Sequence, residues 1–329
     1  MNTRWRTARM LMLVSGATLL AILVWRNDPE AILHSIRQLS WRLLIVIAFP
    51  FALVNVFDTL GWRFAFRNDR VPFGSLFSAR MAGEAFNLTT PTASVGGEAV
   101  KAWLIRHHVP LHEALPSVIV AKTTITIAQG LLLVVGLPCA WALLPHDSPL
   151  LRVMFWLLLV EVLAVGGFVA VQVGGLLGRG GRALGRFAFL EKLAGGLGRL
   201  DDSLAVFYRT QPVRLALSIF FHFLGWLGSA LEVWVVLQLL GVDISLTAAL
   251  LVEAFSTAVR FATFMVPASI GALEGGHVAI FTALGLGGTT GMSFSIVRRI
   301  REATWIGVGF LALAAYRGVV AAPATAEEH

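Results

Sequence analysis

Apolar residues run along this chain in long blocks rather than in alternation. The blocks cover Ala8–Trp25, Trp41–Phe66, Glu113–Leu144, Leu150–Val173, Val213–Leu240 and Thr290–Arg317. Each approaches or exceeds the roughly 20 residues a helix needs to cross a hydrocarbon core. Six spanning helices are predicted there. Asp28–Ser40 reads as an amphipathic stretch, Leu177–Pro212 as a Gly- and Arg-rich connector, and Ala321–His329 as a polar tail. The first block begins basic and apolar, like a signal peptide. No small-residue cleavage site follows Trp25-Arg26-Asn27-Asp28, so a retained span is expected.

Ser75–Val100 and Ser245–Phe281 break the pattern, because Pro, Gly and polar residues interrupt each one. Irregular backbone at membrane depth is tolerated only inside protein or beside a wet cavity. Each is therefore expected to be a re-entrant hairpin or broken helix. The two share an order of residues. Ser75-Leu76, Glu84-Ala85-Phe86, Pro91, Ser94-Val95-Gly96 and Glu98 match Ser245-Leu246, Glu253-Ala254-Phe255, Pro267, Ser269-Ile270-Gly271 and Glu274. Each then leads into a span expected to hold a buried cation, Lys122 in one and Arg298-Arg299 in the other. The fold class expected is an all-α polytopic membrane protein, with about six spans and two hairpins in an internal repeat. The single membrane domain, 1–329, divides into spans one and two (1–72), repeat one (73–144), the basic connector (177–212) and repeat two (244–318).

Composition agrees with immersion in lipid. Hydrophobic residues make up 57% and charged residues 14%, against roughly 45–50% and about 25% in soluble domains. The formal charge of +7 points to the anionic inner leaflet as partner, since the basic residues flank apolar blocks. Nucleic acid is not an expected partner. Arg4, Arg6, Arg9, Arg63, Arg67, Arg70 and the connector's Arg179, Arg182, Arg186, Lys192 and Arg199 fall on one side if both hairpins return to the face they entered. Both termini are then cytoplasmic, in a bacterial inner membrane, and the repeats are inverted. Inverted repeats with discontinuous helices are a signature of alternating-access transporters. Trp5, Trp25, Trp41 and Trp62 read as an interfacial belt.

Ionisable groups inside a membrane are functional candidates by default. Here they are Asp58, Glu84, Lys122, Glu161, Glu232, Glu253, Arg260, Glu274, Arg298, Arg299, Arg301 and Glu302. Asp58 and Arg63 are expected to pair or to reach for the interface. Arg298, Arg301 and Glu302 share one helical face. Arg forks suit phosphate oxygens, and Gly96-Gly97 and Gly275-Gly276 offer backbone N–H groups to the same anion. His107, His108 and His112 are separated by Pro110, so one helix cannot present all three to a metal. Cys139 stands alone, which excludes a disulfide within the chain. No metal-ligand set, nucleophile motif or nucleotide loop is found, so neither a cofactor nor an enzyme activity is expected.

At these motifs the chain resembles the flippase-like family that includes the transmembrane domain of lysylphosphatidylglycerol synthases. The first motif runs from Glu84-Ala85-Phe86-Asn87 through Pro91 to Ser94-Val95-Gly96-Gly97-Glu98-Ala99-Val100-Lys101-Ala102. The second comprises Val266-Pro267, Ile270-Gly271, Glu274-Gly275-Gly276, Val297-Arg298-Arg299 and Arg301-Glu302. Its Glu-Gly-Gly form with downstream Arg-Arg looks most like the branch associated with hopanoid biosynthesis.

The resemblance implies a lipid flippase or transporter. Its implied site is Asn87, Pro91, Gly96, Gly97, Glu98 and Lys101, with Pro267, Gly271, Glu274, Gly275, Arg298, Arg299 and Glu302. Lys122 joins the expected head-group site. Pro91, Pro267 and Gly271 are the expected hinges, and Glu84, Glu253, Arg260 and Arg301 the coupling or charge-balancing groups. The synthases carry a soluble aminoacyl-transferase domain after the membrane part. This sequence has no counterpart, so aminoacyl transfer is not expected. Two rivals remain: a non-transporting assembly factor that binds lipid-biosynthesis proteins, and an intramembrane lipid-modifying enzyme with paired carboxylates such as Glu98 and Glu274.

Overall fold

The computed structural model describes residue 15 and residues 18–90, 96–173, 191–264 and 266–321. Pro91, Ser94, the start of the first span, the first part of the Arg-rich connector and the tail lie outside the described residues. Within the described residues every regular element is a helix, as the apolar blocks predict.

After α1 (residues 18–26), α2 (Pro29–Leu39) begins where Asp28 accepts a hydrogen bond from the Ala31 N–H at 3.1 Å and Pro29 pre-sets the first turn. The block expected as one second span is two helices, α3 (Arg42–Ala48) and α4 (Phe51–Phe64). Pro50 separates them, because proline has no N–H to continue the ladder. Then follow α5 (Phe73–Thr89), α6 (Gly96–Leu104), α7 (Leu111–Leu143) and α8 (Pro149–Val173). After the connector come α9 (Glu191–Thr210), α10 (Pro212–Leu239), α11 (Leu246–Ala262), a short 3-10 turn (Pro267–Ser269), α12 (Ala272–Ala283) and α13 (Gly288–Ala321).

Among the described residues, four stretches are long and apolar enough to cross a membrane: Arg42–Phe64, Leu111–Leu143, Pro149–Val171 and Pro212–Leu239. At 34 residues α13 has the length, about 50 Å at 1.5 Å per residue. Its four charges between Arg298 and Glu302 set it apart in composition. On α8, Val160, Val162, Leu163 and Phe168 point outward. Such a face is a liability in water and ordinary against lipid tails.

The two interrupted segments are built alike. Helices of 17 and 9 residues precede the 33-residue α7, and helices of 17 and 12 residues precede the 34-residue α13. The halves also interlock: α5 packs on α13, while α11 packs on α7. Each long helix has a glycine at the crossing. Gly309 lies against Met81 and Ala85, and Gly136 against Ala254, the close approach small residues permit between membrane helices.

Helix α10 packs against α4, α7 and α11. One apolar core gathers Leu133, Val233, Val236, Leu251, Phe255 and Phe294. A second gathers Trp62, Leu76, Ile105, Val118, Leu204 and Phe207. Near the end of the basic connector, α9 buries Leu204 and Phe207 in the second core. One expectation is corrected here. Trp62 does not belong to an interfacial belt. It is 2% exposed and donates to Ser117 Oγ at 3.2 Å, whereas Trp25 and Trp41 are exposed as expected.

Candidate functional site

Among the described residues, most of the charges expected at membrane depth collect into two clusters. The first centres on Lys101. Its Nζ lies 2.8 Å from Glu84 and 3.1 Å from Glu98. Glu98 also receives the Asn87 amide at 3.3 Å and faces Lys122 at 3.9 Å. The α5–α6 hairpin brings these groups together because its arms nearly touch. A β-carbon on Gly97 would stand 2.1 Å from the Gly83 carbonyl oxygen, so both arms need glycine there. Beside this group, Arg80 bridges Asn55 and Asp58, and His222 Nδ1 donates to Asp58 Oδ1 at 3.1 Å.

A small cleft of about 40 Å³ opens here, and its walls include Asp58, Trp62, Arg80, Glu84, Glu98, Lys101, Lys122 and His222. Of its charged residues, Asp58, Arg80 and Lys101 are buried. The Glu84 side chain is 37% exposed and that of Lys122 46%. Lys122 was expected to be a buried cation. Instead it is a half-exposed amine with one weak ionic contact, while Lys101 is the buried lysine of this cluster.

The second cluster is closed. Arg298 makes a forked pair with Glu253, at 2.7 and 3.3 Å, the geometry that suits guanidinium to carboxylate. Its other neighbour is Glu232, at 3.8 Å. Arg301 lies 3.1 Å from Glu232 and stacks 3.8 Å over the Phe51 ring. Arg299 reaches Glu274 and Glu302, each at 2.6 Å, and Arg260 lies 3.5 Å from Glu302. Four arginines thus face four glutamates. A buried guanidinium in low dielectric requires such partners, and here carboxylates supply them.

The structure brings the expected site residues together as two sets. Glu84, Glu98, Lys101 and Lys122 meet at the cleft, and Asn87 joins them through its bond to Glu98. Glu253, Arg260, Glu274, Arg298, Arg299, Arg301 and Glu302 meet in the closed cluster. The glycine N–H groups are committed within the protein: Gly97 donates to Asn87 Oδ1 at 2.8 Å and Gly275 to the Gly271 carbonyl at 3.0 Å. Gly271 caps α12, and its N–H donates to Glu274 Oε2 at 2.7 Å. Pro267 lies in the 3-10 turn between α11 and α12. Asp58 does not pair with Arg63, which turns to Asp69 at 3.5 Å. Glu161 stands apart from both clusters and accepts from Gln129 at 2.9 Å.

The sequence reading missed Arg80, Asn55 and His222. Arg80 was legible as a lone arginine among the small residues Ser78, Ala79, Ala82 and Gly83. His222 sits in the apolar run of α10, where a histidine resembles an ordinary core residue.

These features define a multi-pass, all-α membrane protein with two charge clusters inside its helix bundle. Residues 10–310 match the family described as the lysylphosphatidylglycerol synthase TM region, and the chain belongs to that family. It is similar to a UPF0104 membrane protein of Methanothermobacter thermautotrophicus, 22% identical over 312 residues that cover 88% of this chain and 90% of that protein. No solved structure matches.

Proposed function

We propose that this protein moves an anionic or polar-headed lipid between leaflets by alternating access, with the Lys101–Lys122 cleft as its head-group site. The carrying observation is Lys122: it lines a cleft shared by apolar and charged side chains and has an ionic contact only at 3.9 Å. An ammonium so placed keeps capacity for a phosphate oxygen, whereas the arginines of the second cluster already have carboxylates.

Further support comes from the matched helix lengths and the interlocked hairpins. In this reading the repeats are inverted and rock about the α5–α13 and α11–α7 contacts. The basic side, with both termini, faces the cytoplasm of a bacterial cell. Membership in a family named for a lipid synthase's membrane region favours a lipid cargo. The resemblance to the hopanoid-associated branch makes a polar-headed hopanoid derivative a cargo to test beside anionic phospholipids.

The assembly-factor reading draws on the closed second cluster, since a scaffold needs its buried charges only for register. One experiment separates the two. Proteoliposomes carrying a fluorescent head-group-labelled phosphatidylglycerol are assayed for movement to the outer leaflet by quenching. Lys122→Ala is expected to abolish protein-dependent movement while the protein keeps its helicity and elution volume. Equal movement with this variant, or none with the unaltered protein, would refute the transport site.

A further inference from the structure

We infer that His222 is the proton-binding group of this cleft, and that an anionic head group enters it together with one proton. The inference rests on the proposed lipid-binding reading and adds the coupling ion to it.

The cleft is balanced before any ligand arrives. Arg80, Lys101 and Lys122 face Asp58, Glu84 and Glu98 on its walls, so the charges cancel while His222 is neutral. An entering anion therefore brings one uncompensated charge against the buried Asp58, Arg80 and Lys101 side chains, where it is costly. A proton taken up with it removes that cost.

His222 can take the proton without losing a bond. It is 2% exposed, and its Nδ1–H already donates to Asp58. Its Nε2 is buried with no hydrogen-bond partner, an uncommon state for a buried polar atom. Protonating Asp58, Glu84 or Glu98 would instead weaken an existing ion pair. The charged groups facing His222 are Asp58 of α4, Arg80 of α5 and Lys101 of α6, with Lys122 of α7 on the same lining. Alone, these cations oppose a second positive charge on the ring. An anion beside them reverses that balance, while Asp58 is in place to hold an imidazolium. Linkage is reciprocal, so a proton that favours the lipid is favoured by it to the same extent. Histidine is the side chain suited to such exchange near neutral pH.

The test uses the full chain in detergent and dihexanoyl phosphatidylglycerol, whose phosphodiester does not itself titrate near neutrality. Calorimetry in two buffers of different ionisation enthalpy counts the protons taken up per lipid bound. The expected result is uptake approaching one proton above the range where the imidazole titrates, with affinity weakening up to about tenfold per pH unit there. His222→Gln should still bind the lipid, more weakly, with no uptake and a flat pH dependence. Uptake that survives in His222→Gln but vanishes in Glu84→Gln would overturn the assignment. Should His222→Gln fail to fold, the unaltered protein decides alone: an affinity independent of pH from about 5 to 9 refutes the coupling. Binding without uptake removes only the coupled proton. Absence of any binding removes the lipid site itself.

Discussion

Gly136 of α7 lies so close to Ala254 of α11 that a β-carbon on the glycine would stand 2.3 Å from that of the alanine. The crossing has a counterpart in the other half, where a β-carbon on Gly309 would stand 2.3 Å from the Met81 carbonyl oxygen. Each hairpin is thus seated on the long helix of the opposite half. Where the obstacle is backbone, no rotamer relieves it. Gly309→Ala should destabilise by about 1–3 kcal/mol through overpacking, despite alanine's better helix propensity. Gly307→Ala, which meets nothing within 4 Å, should be neutral or stabilising by up to about 1 kcal/mol. Thermal unfolding in detergent checks the pair, and equal melting temperatures would argue against the seated crossing.

Glu253 and Arg298 form the centre of the closed cluster, and they distinguish the worth of a pair from the cost of breaking one. Glu253→Ala leaves Arg298 buried with only Glu232, at 3.8 Å. Losing one partner of a buried pair costs about 3–5 kcal/mol, so recovery of folded protein should fall sharply. The double variant Glu253→Leu with Arg298→Met removes both charges and leaves Glu232 to Arg301, 3.1 Å away. It should regain most of that loss and keep lipid movement, because the proposed head-group site lies in the other cluster. A folded double variant without transport would return the arginines to the substrate path.

Glu274 has two tasks: one oxygen accepts the Gly271 N–H, and the other meets Arg299. Glu274→Gln keeps an acceptor for the cap but turns away the charge that Arg299 needs. Glu274→Ala loses both. The expected order of melting temperature is unaltered protein, then glutamine, then alanine. The alanine step should include the loss of about 0.5–2 kcal/mol typical of a missing N-terminal cap. Equal values for glutamine and alanine would mean the cap contributes nothing measurable.

The long apolar blocks and their breaks carried most of the fold into view. Helices α7, α8, α10 and α13 begin and end within a few residues of the blocks that predict them, because a spanning helix must be apolar along its length. The hairpins were legible through Pro91, Pro267 and the glycines. The break at Pro50 lies inside an otherwise continuous apolar run, so hydropathy alone conceals it. The candidate site was only half legible. Lys101, Glu84 and Glu98 lie close in sequence and share a motif. Asp58, Arg80 and His222 meet only through the packing of α4, α5 and α10. Composition likewise does not reveal that four arginines face four glutamates while Lys122 remains half-exposed; that depends on which faces meet.

The loop between α4 and α5 supplies a pH test away from the helix bundle. Asp69 accepts from Arg214 at 2.6 Å and faces Arg63 at 3.5 Å, and Arg214 also donates to the Arg63 carbonyl at 3.0 Å. Partial burial works against its charge, but these guanidinium groups prevail and hold the carboxyl below the ordinary value of 3.8. A carboxyl with a lowered folded-state pKa contributes stability above its unfolded value. That contribution is lost as pH falls through the folded value. The loop should therefore remain protected from amide hydrogen exchange down to about pH 4 and loosen only in stronger acid. Asp69→Asn should loosen residues 66–72 already at neutral pH, while exchange in α7 stays unchanged. High salt should weaken the protection of the unaltered loop, since the group is largely exposed and screened. If the loop exchanges equally in both proteins at neutral pH, the Asp69–Arg214 contact does not hold it in place.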